Sequence, residues 1–213
     1  MRQKHRLLTA WLLIGGLWAV TAHADETHVG EGHPKDGLRR LRGEVCQECH
    51  GGDGNPISDS VPRLAGQDGR YLTKQLRDFR SGARVHDVMT VMAQGLSEDA
   101  IPDIAAYFAS NTAHLDEDGA SSAAGQALYE TGVAARDIPA CQSCHGGDAK
   151  GAVIGEMIVP RLAGQKRAYL RGQLASFRAE ERQNSADGVM IKASHGLRDA
   201  DIEALAAYLS RKE

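Results

Sequence analysis

The sequence predicts an all-α protein built as two tandem helical domains. Apolar residues recur at helical spacing and nowhere alternate with period two over a useful length, so no sheet is expected. The second half repeats the first in the same order. Val61-Pro62-Arg63-Leu64-Ala65-Gly66-Gln67 is identical to Val159-Pro160-Arg161-Leu162-Ala163-Gly164-Gln165, and Tyr71-Leu72, Gln75-Leu76 and Phe79-Arg80 return as Tyr169-Leu170, Gln173-Leu174 and Phe177-Arg178. The pentapeptide Cys-x-x-Cys-His also occurs twice, at 46–50 and 141–145, each copy running on into Gly-Gly-Asp. Two units of about 90 residues make a tandem pair rather than a solenoid.

The chain opens on the bases Arg2, Lys4 and Arg6, followed by an apolar run from Leu7 to Val20 and then Ala22-His23-Ala24, a small-x-small cleavage pattern. Residues 1–24 therefore read as a secretory signal peptide. The alternative, a retained anchor, is disfavoured because the run is short for a span, which takes about 20 residues. The expected destination is the periplasm. Cleavage would remove three bases and no acids, taking the net charge from −3 to −6. That excludes nucleic acid and anionic membrane surfaces as partners. Residues 25–37 are polar and are expected to form a flexible N-terminus. The remaining length suits one or two domains.

In chain order, the first domain is expected over 38–110. A haem-motif turn is followed by the proline loop, then by a helix carrying Tyr71, Leu72, Gln75, Leu76 and Phe79, then by a methionine loop. Ile101, Ile104, Ala105 and Phe108 fall at i, i+3, i+4 and i+7 and mark the last helix. Pro102 is compatible with that helix only in its first turn, so the start is placed near Asp99. Residues 111–123 are polar and acidic, without helical periodicity, and read as a linker. The second domain, 124–213, opens on a short helix around Gly125 to Tyr129 and closes on Ile202, Leu205, Ala206 and Leu209.

The motif names a cofactor. Thiols at i and i+3 lie on one helix face and reach the two vinyl groups of one haem, and the next residue places an imidazole beneath the iron. Two copies imply two haem c, attached through Cys46 and Cys49 and through Cys141 and Cys144, the only cysteines in the chain. His50 and His145 are the candidate proximal iron ligands. A four-thiolate zinc site would need both halves to converge on one ion and would leave the histidines unexplained. A disulfide framework leaves them unexplained too.

The sixth ligand decides between electron transfer and ligand chemistry at the iron. Met89 lies seven residues before Leu96 and Met190 seven before Leu197, so they share a repeat position. No other methionine pair does: Met92 corresponds to Ala193, and Met157 has no counterpart. Met89 and Met190 are therefore the candidate distal ligands, against the alternative of core packing. His86 and His195 each occur in one repeat only and are read as surface or supporting residues. Pro62 and Pro160 offer carbonyls that would fix the histidine tautomer. Arg63 and Arg161 are candidate propionate partners, with solvent exposure as the alternative.

These residues resemble the dihaem cytochrome c4 family over nearly the whole mature chain. The combination of Cys-x-x-Cys-His, Pro-x-Leu-Ala-Gly-Gln, Tyr-Leu-x-x-Gln-Leu, a methionine loop and an Ala-Ala-Tyr helix, twice over, is specific. The resemblance implies two cytochrome c-like domains, each a small helical fold around a covalent haem c. It implies axial pairs His50/Met89 and His145/Met190, and haems facing each other across the domain interface through their propionates. It implies a periplasmic carrier of single electrons from a quinol-oxidising bc-type complex to a terminal oxidase, not an enzyme, with redox proteins as partners and no small-molecule substrate. Contact with membrane complexes would be peripheral. Two departures stand out: the second methionine loop is three residues longer, from Pro160 to Met190 against Pro62 to Met89, and the linker is acidic. The rival readings are a dihaem peroxidase and a cytochrome subunit bound to a dehydrogenase.

Each half is small and poor in aromatic residues, so a covalent haem would supply much of its core. Chain produced without haem is expected to be poorly folded. Circular dichroism melts test this, and an apo protein that unfolds as cooperatively as the haem-loaded one would contradict it.

Overall fold

The computed structural model describes residues 31–43, 45–115 and 121–212. The segment read as a signal peptide, 1–24, and the acidic residues 116–118 of the linker lie outside them. The first unit contains α1 (Pro34–Leu41), α2 (Cys46–His50), α3 (Gly69–Ser81), α4 (Met89–Gln94) and α5 (Ala100–Ala109). The second contains α6 (Ala123–Thr131), α7 (Gln142–His145), β1 (Ala152–Ile154), β2 (Met157–Val159), α8 (Arg167–Arg178), α9 (Val189–Ser194) and α10 (Asp199–Ser210).

Each unit buries the stripe its last helix carries. Ile101, Ile104, Ala105 and Phe108 pack with Leu41, Leu72 and Leu96. Ile202, Leu205, Ala206 and Leu209 pack with Leu128, Tyr129, Leu170 and Leu197. Pro102 lies in the first turn of α5, where its missing N–H has no intrahelical acceptor to lose. The repeated Phe-Arg pairs tie α3 and α8 to the turn before the last helix. Arg80 Nη1 donates to the Leu96 carbonyl at 3.0 Å, and Arg178 Nη1 donates to the Leu197 carbonyl at 3.1 Å.

The first and last helices of each unit cross through a glycine. A Cβ on Gly37 of α1 would stand 2.0 Å from the Asp103 carbonyl oxygen of α5, and one on Gly125 of α6 would stand 2.0 Å from the Ala204 carbonyl oxygen of α10. Within the segment 25–37, expected to be flexible, the described residues 31–37 pack through this contact. Gly32 and Gly37 are buried, and the His33 N–H donates to Asp103 Oδ1 at 2.9 Å. Pro34 supplies a preset φ at the start of α1. Backbone-to-backbone contact through glycine holds a segment whose polar composition reads as frayed.

The expectation of no sheet is corrected. β1 and β2 form an antiparallel hairpin with Ala152 opposite Val159 and Ile154 opposite Met157. It occupies the longer path from the motif to the proline loop in the second unit, where His145 and Pro160 are 15 residues apart against 12 for His50 and Pro62. Val153, Ile154, Ile158 and Val159 are β-branched, and Gly155 takes φ +59° in the connecting turn. Strands of three residues are too short to show a period-two signal.

The first unit also caps a helix of the second. In α3, Asp68 occupies the N-cap and accepts from the Arg70 and Tyr71 N–H groups. The matching position before α8 is Lys166, which carries no acceptor. Asp59 of the first unit takes its place: its Oδ2 accepts from the Ala168 N–H at 3.0 Å, and its carbonyl accepts from the Tyr169 N–H at 3.2 Å.

Gly37→Ala and Gly125→Ala separate helix propensity from packing. Alanine favours an exposed helix by up to about 1 kcal/mol over glycine, whereas overpacking costs about 1–3 kcal/mol. Thermal unfolding of the haem-loaded protein is expected to show destabilisation for both variants. A raised Tm in either would contradict the helix crossing.

Candidate functional site

Two short helices, α2 and α7, present the motif residues. Cys46, Cys141 and Cys144 are partly buried, Cys49 is exposed, and none of the four forms a disulfide. Burial pushes the Cys141 thiol up to about 11. Glycine ends each helix directly after the histidine, Gly51 with φ +79° and Gly146 with φ +82°. These conformations suit a residue without a Cβ.

His50 and His145 are both buried, each 6% exposed. The His50 Nδ1–H donates to the Pro62 carbonyl at 3.1 Å, and the His145 Nδ1–H donates to the Pro160 carbonyl at 3.0 Å. A carbonyl only accepts, so this bond assigns the proton to Nδ1 and leaves the lone pair on Nε2. Burial lowers the pKa of both rings, partly opposed by the proline carbonyl. Each is therefore a neutral imidazole with its tautomer set for metal ligation. The acceptor loops are fixed in turn. The Leu64 and Ala65 N–H groups donate to the Gly54 carbonyl at 2.8 and 3.1 Å, and those of Leu162 and Ala163 to the Ala149 carbonyl at 2.8 and 3.0 Å. Tyr107 and Tyr129 hydroxyls donate to the Gly52 and Gly146 carbonyls and hold the chain beyond each motif.

Met89 begins α4 and Met190 is the second residue of α9, both partly buried. Each is held by its own backbone. The Met89 N–H donates to His86 Nδ1 at 3.3 Å, and the Met190 N–H donates to Ser185 Oγ at 3.2 Å. His86 thus caps the methionine helix and is exposed, and His195 is an exposed residue at the end of α9. Beside α9 lies a cleft of about 560 Å³ bordered by Ile138, Pro139 and Val189 and by the charged residues Asp137 and Lys192. Paired thiols and a buried neutral imidazole suit a macrocycle with an iron centre.

The proline loops join the units as well as holding the histidines. The Arg63 N–H donates to Gln165 Oε1 at 2.7 Å, and Gln165 Nε2 donates back to the Arg63 carbonyl at 2.8 Å. The reciprocal pair is built the same way: the Arg161 N–H donates to Gln67 Oε1 at 2.9 Å, and Gln67 Nε2 donates to the Arg161 carbonyl at 2.9 Å. Each glutamine amide completes the other unit's loop backbone, as an added strand would.

Arg63 and Arg161, read from the sequence as propionate partners or exposed side chains, are engaged at this interface. Arg63 is 4% exposed, and its guanidinium donates to Asn55 Oδ1 at 3.0 Å and to the Gly164 carbonyl. Arg161 Nε donates to the Ala163 carbonyl at 3.0 Å. Sequence reasoning missed the interface roles of Gln67 and Gln165, of Gln75 and Gln173, and of Arg84 and Arg182. The available signal was polar glutamine returning unchanged in both repeats.

The glutamine clamps have a measurable consequence. A buried hydrogen bond contributes about 0.5–1.5 kcal/mol net. Gln67→Ala with Gln165→Ala is expected to uncouple the units, so that calorimetry resolves two transitions. One transition at the unsubstituted temperature would contradict the clamp.

The cytochrome c family profile matches residues 39–112 and 122–212. Cytochrome c4 of Pseudomonas aeruginosa is 35% identical over 207 residues, covering 96% of this chain and 98% of that protein. A thiosulfate dehydrogenase electron acceptor of Stutzerimonas stutzeri is 35% identical, covering 78% of each chain. The crystal structure of reduced recombinant cytochrome c4 from Pseudomonas stutzeri superposes with a TM-score of 0.79 at 35% identity, covering 85% of this chain and 100% of that one. The duplicated fold, the two identical histidine settings and these likenesses agree: the chain belongs to the dihaem cytochrome c4 family, and it is an electron-transfer cytochrome with two covalently bound haem c.

Proposed function

We propose that this cytochrome is a periplasmic shuttle, taking single electrons from a quinol-oxidising bc-type complex and delivering them to a terminal oxidase, with no substrate reaction of its own. The observation that carries the reading is the paired setting of His50 and His145, each buried, neutral and hydrogen-bonded through Nδ1 to a proline carbonyl. In this reading Cys46 and Cys49, and Cys141 and Cys144, form the thioether links. His50 and His145 bind iron through Nε2, and Met89 and Met190 bind the opposite faces.

The haems supply the one-electron chemistry. The chain positions the ligands. His86 and Ser185 hold the methionine backbones, so each thioether is presented from a fixed helix start. A methionine on the far side of each iron favours electron transfer over peroxide or oxygen chemistry. A methionine at the same position in both units therefore weighs against the peroxidase reading.

The family-profile segments support domains over 38–110 and 124–213 with a linker at 111–123. The basic and apolar character of 1–24 supports export. Among the described residues no helix is long and apolar enough to cross a membrane, which suits a carrier that touches membrane complexes peripherally. A second reading places a dehydrogenase as the electron donor. It is favoured by the relative named as a thiosulfate dehydrogenase electron acceptor.

Rapid-mixing reduction by a purified bc-type complex and by a thiosulfate dehydrogenase separates the two donors. Faster reduction by the complex supports the shuttle, and faster reduction by the dehydrogenase supports the second reading. The ligand assignment is tested by Met89→Ala and Met190→Ala. Each is expected to remove about half of the weak far-red iron–thioether band and to let one haem of the reduced protein bind carbon monoxide. An unchanged band in either variant would exclude that methionine.

A further inference from the structure

The bond that each motif histidine makes ends on a peptide group held from both sides. The Pro62 carbonyl accepts from the His50 Nδ1–H at 3.1 Å, and the N–H of that same peptide, which belongs to Arg63, donates to Gln165 Oε1 at 2.7 Å. In the second unit the Pro160 carbonyl accepts from the His145 Nδ1–H at 3.0 Å, and the Arg161 N–H of that peptide donates to Gln67 Oε1 at 2.9 Å. Each glutamine belongs to the unit opposite the histidine it serves. The contacts run from imidazole to peptide to glutamine, and they cross the interface once in each direction.

Both glutamines are buried and fixed, Gln67 at 5% exposure and Gln165 at 7%. Gln165 Oε1 accepts a second bond from the Lys166 N–H at 2.9 Å, and Gln67 Oε1 accepts one from the Asp68 N–H at 3.1 Å. Gln165 Nε2 donates to the Arg63 carbonyl at 2.8 Å, and Gln67 Nε2 donates to the Arg161 carbonyl at 2.9 Å. A backbone N–H only donates and a carbonyl only accepts, so these partners assign the oxygen and the nitrogen of each amide. The Nε2 bonds alone would hold the units together. The Oε1 bonds are the ones that share a peptide with a histidine.

Peptide resonance joins the two ends of that group. Its C–N bond has partial double-bond character, so a hydrogen bond given by the N–H puts more negative charge on the carbonyl oxygen. The oxygen then pulls harder on the Nδ1 proton. In a buried chain this mutual strengthening amounts to about 10–30% per bond. An imidazole whose Nδ1–H is pulled is a more basic ligand at Nε2. A more basic ligand favours ferric iron over ferrous.

We propose that Gln67 and Gln165 are positioning residues that act in trans, each strengthening the histidine–proline bond of the opposite unit and so lowering the reduction potential of that unit's haem. The proposal rests on the histidine ligation given above. It makes each potential depend on the neighbouring unit through one identified side chain.

Potentiometry and proton NMR of the intact dihaem protein, produced with isotope-labelled histidine, test it. Haem resonances are assigned to a unit through Cys46 and Cys49 or Cys141 and Cys144. Gln165→Leu is expected to raise the reduced-to-oxidised ratio of the first unit's haem at a fixed ambient potential about threefold, or about 28 mV at 59 mV per tenfold for one electron, and to leave the second within about 1.5-fold. The His50 Nδ1–H resonance of the reduced protein moves upfield and that of His145 stays in place. Gln67→Leu gives the mirror result. Asp59→Ala loosens the same interface away from the two peptides and is expected to leave both resonances and both ratios unchanged. The proposal is overturned if a glutamine variant moves its own unit's haem as far as the opposite one, if the opposite potential falls or stays, or if Asp59→Ala acts alike. Should the leucine variants not take up two haems, Gln165→Asn and Gln67→Asn decide by the same criteria. They keep an amide but fall one methylene short of the opposite backbone. Absence of paramagnetic shifts on His50 and His145 in the oxidised protein would sink the ligation. The Nδ1–H resonances of the reduced protein report the link to glutamine by themselves, so the two failures are distinguishable.

Discussion

A buried imidazole donating its Nδ1–H to a proline carbonyl is the contact on which the rest of this molecule turns. It occurs once in each unit, at 3.1 and 3.0 Å. Burial keeps the ring neutral against the pull of the carbonyl, and the contact commits the tautomer and leaves Nε2 unprotonated. Proline suits the acceptor position because its ring sets φ and it contributes no competing N–H. Everything else near the site serves to keep that carbonyl still: the loop returns to the Gly54 or Ala149 carbonyl, and a tyrosine hydroxyl holds the glycine turn after the motif.

The same loops weld the two units together. The residue after each proline is an arginine whose backbone is closed by a glutamine of the other unit. A displacement at the interface is thus one residue away from the carbonyl that orients a motif histidine. Further out, Asp59 caps a helix of the second unit, and the arginines before the methionine turns cross between α3 and α8. Duplication explains the reciprocity of these contacts, and the exceptions show where the copies have diverged. Lys166 in place of a capping acid requires help from Asp59, and the longer second crevice carries a hairpin and an extra turn at 186–188.

Much of this was legible in the residues. Covalent chemistry fixes the spacing of two thiols and an imidazole, so the cofactor could be read directly. The helical stripe around Ile104 and Leu205 is a local pattern and appears in the fold as read. The hairpin did not show because its strands are three residues long. The packing of 31–37 did not show because it depends on what glycine lacks, not on what a side chain contributes. The interface was hidden for a different reason: Gln67 and Arg161 are 94 residues apart, and no local pattern announces such a contact. His86 illustrates the limit at a single residue. It stands near Met89 as a rival ligand would, yet its ring nitrogen accepts the methionine's own N–H.

The central claim is that each unit holds a covalent haem whose iron is closed on both faces by protein side chains. Haem quantitation of the purified, unsubstituted protein, followed by exposure of its reduced form to carbon monoxide, tests it most directly. The account predicts two haems per chain and no uptake of the gas at either iron. Colourless protein, or ready binding in both units, would contradict it.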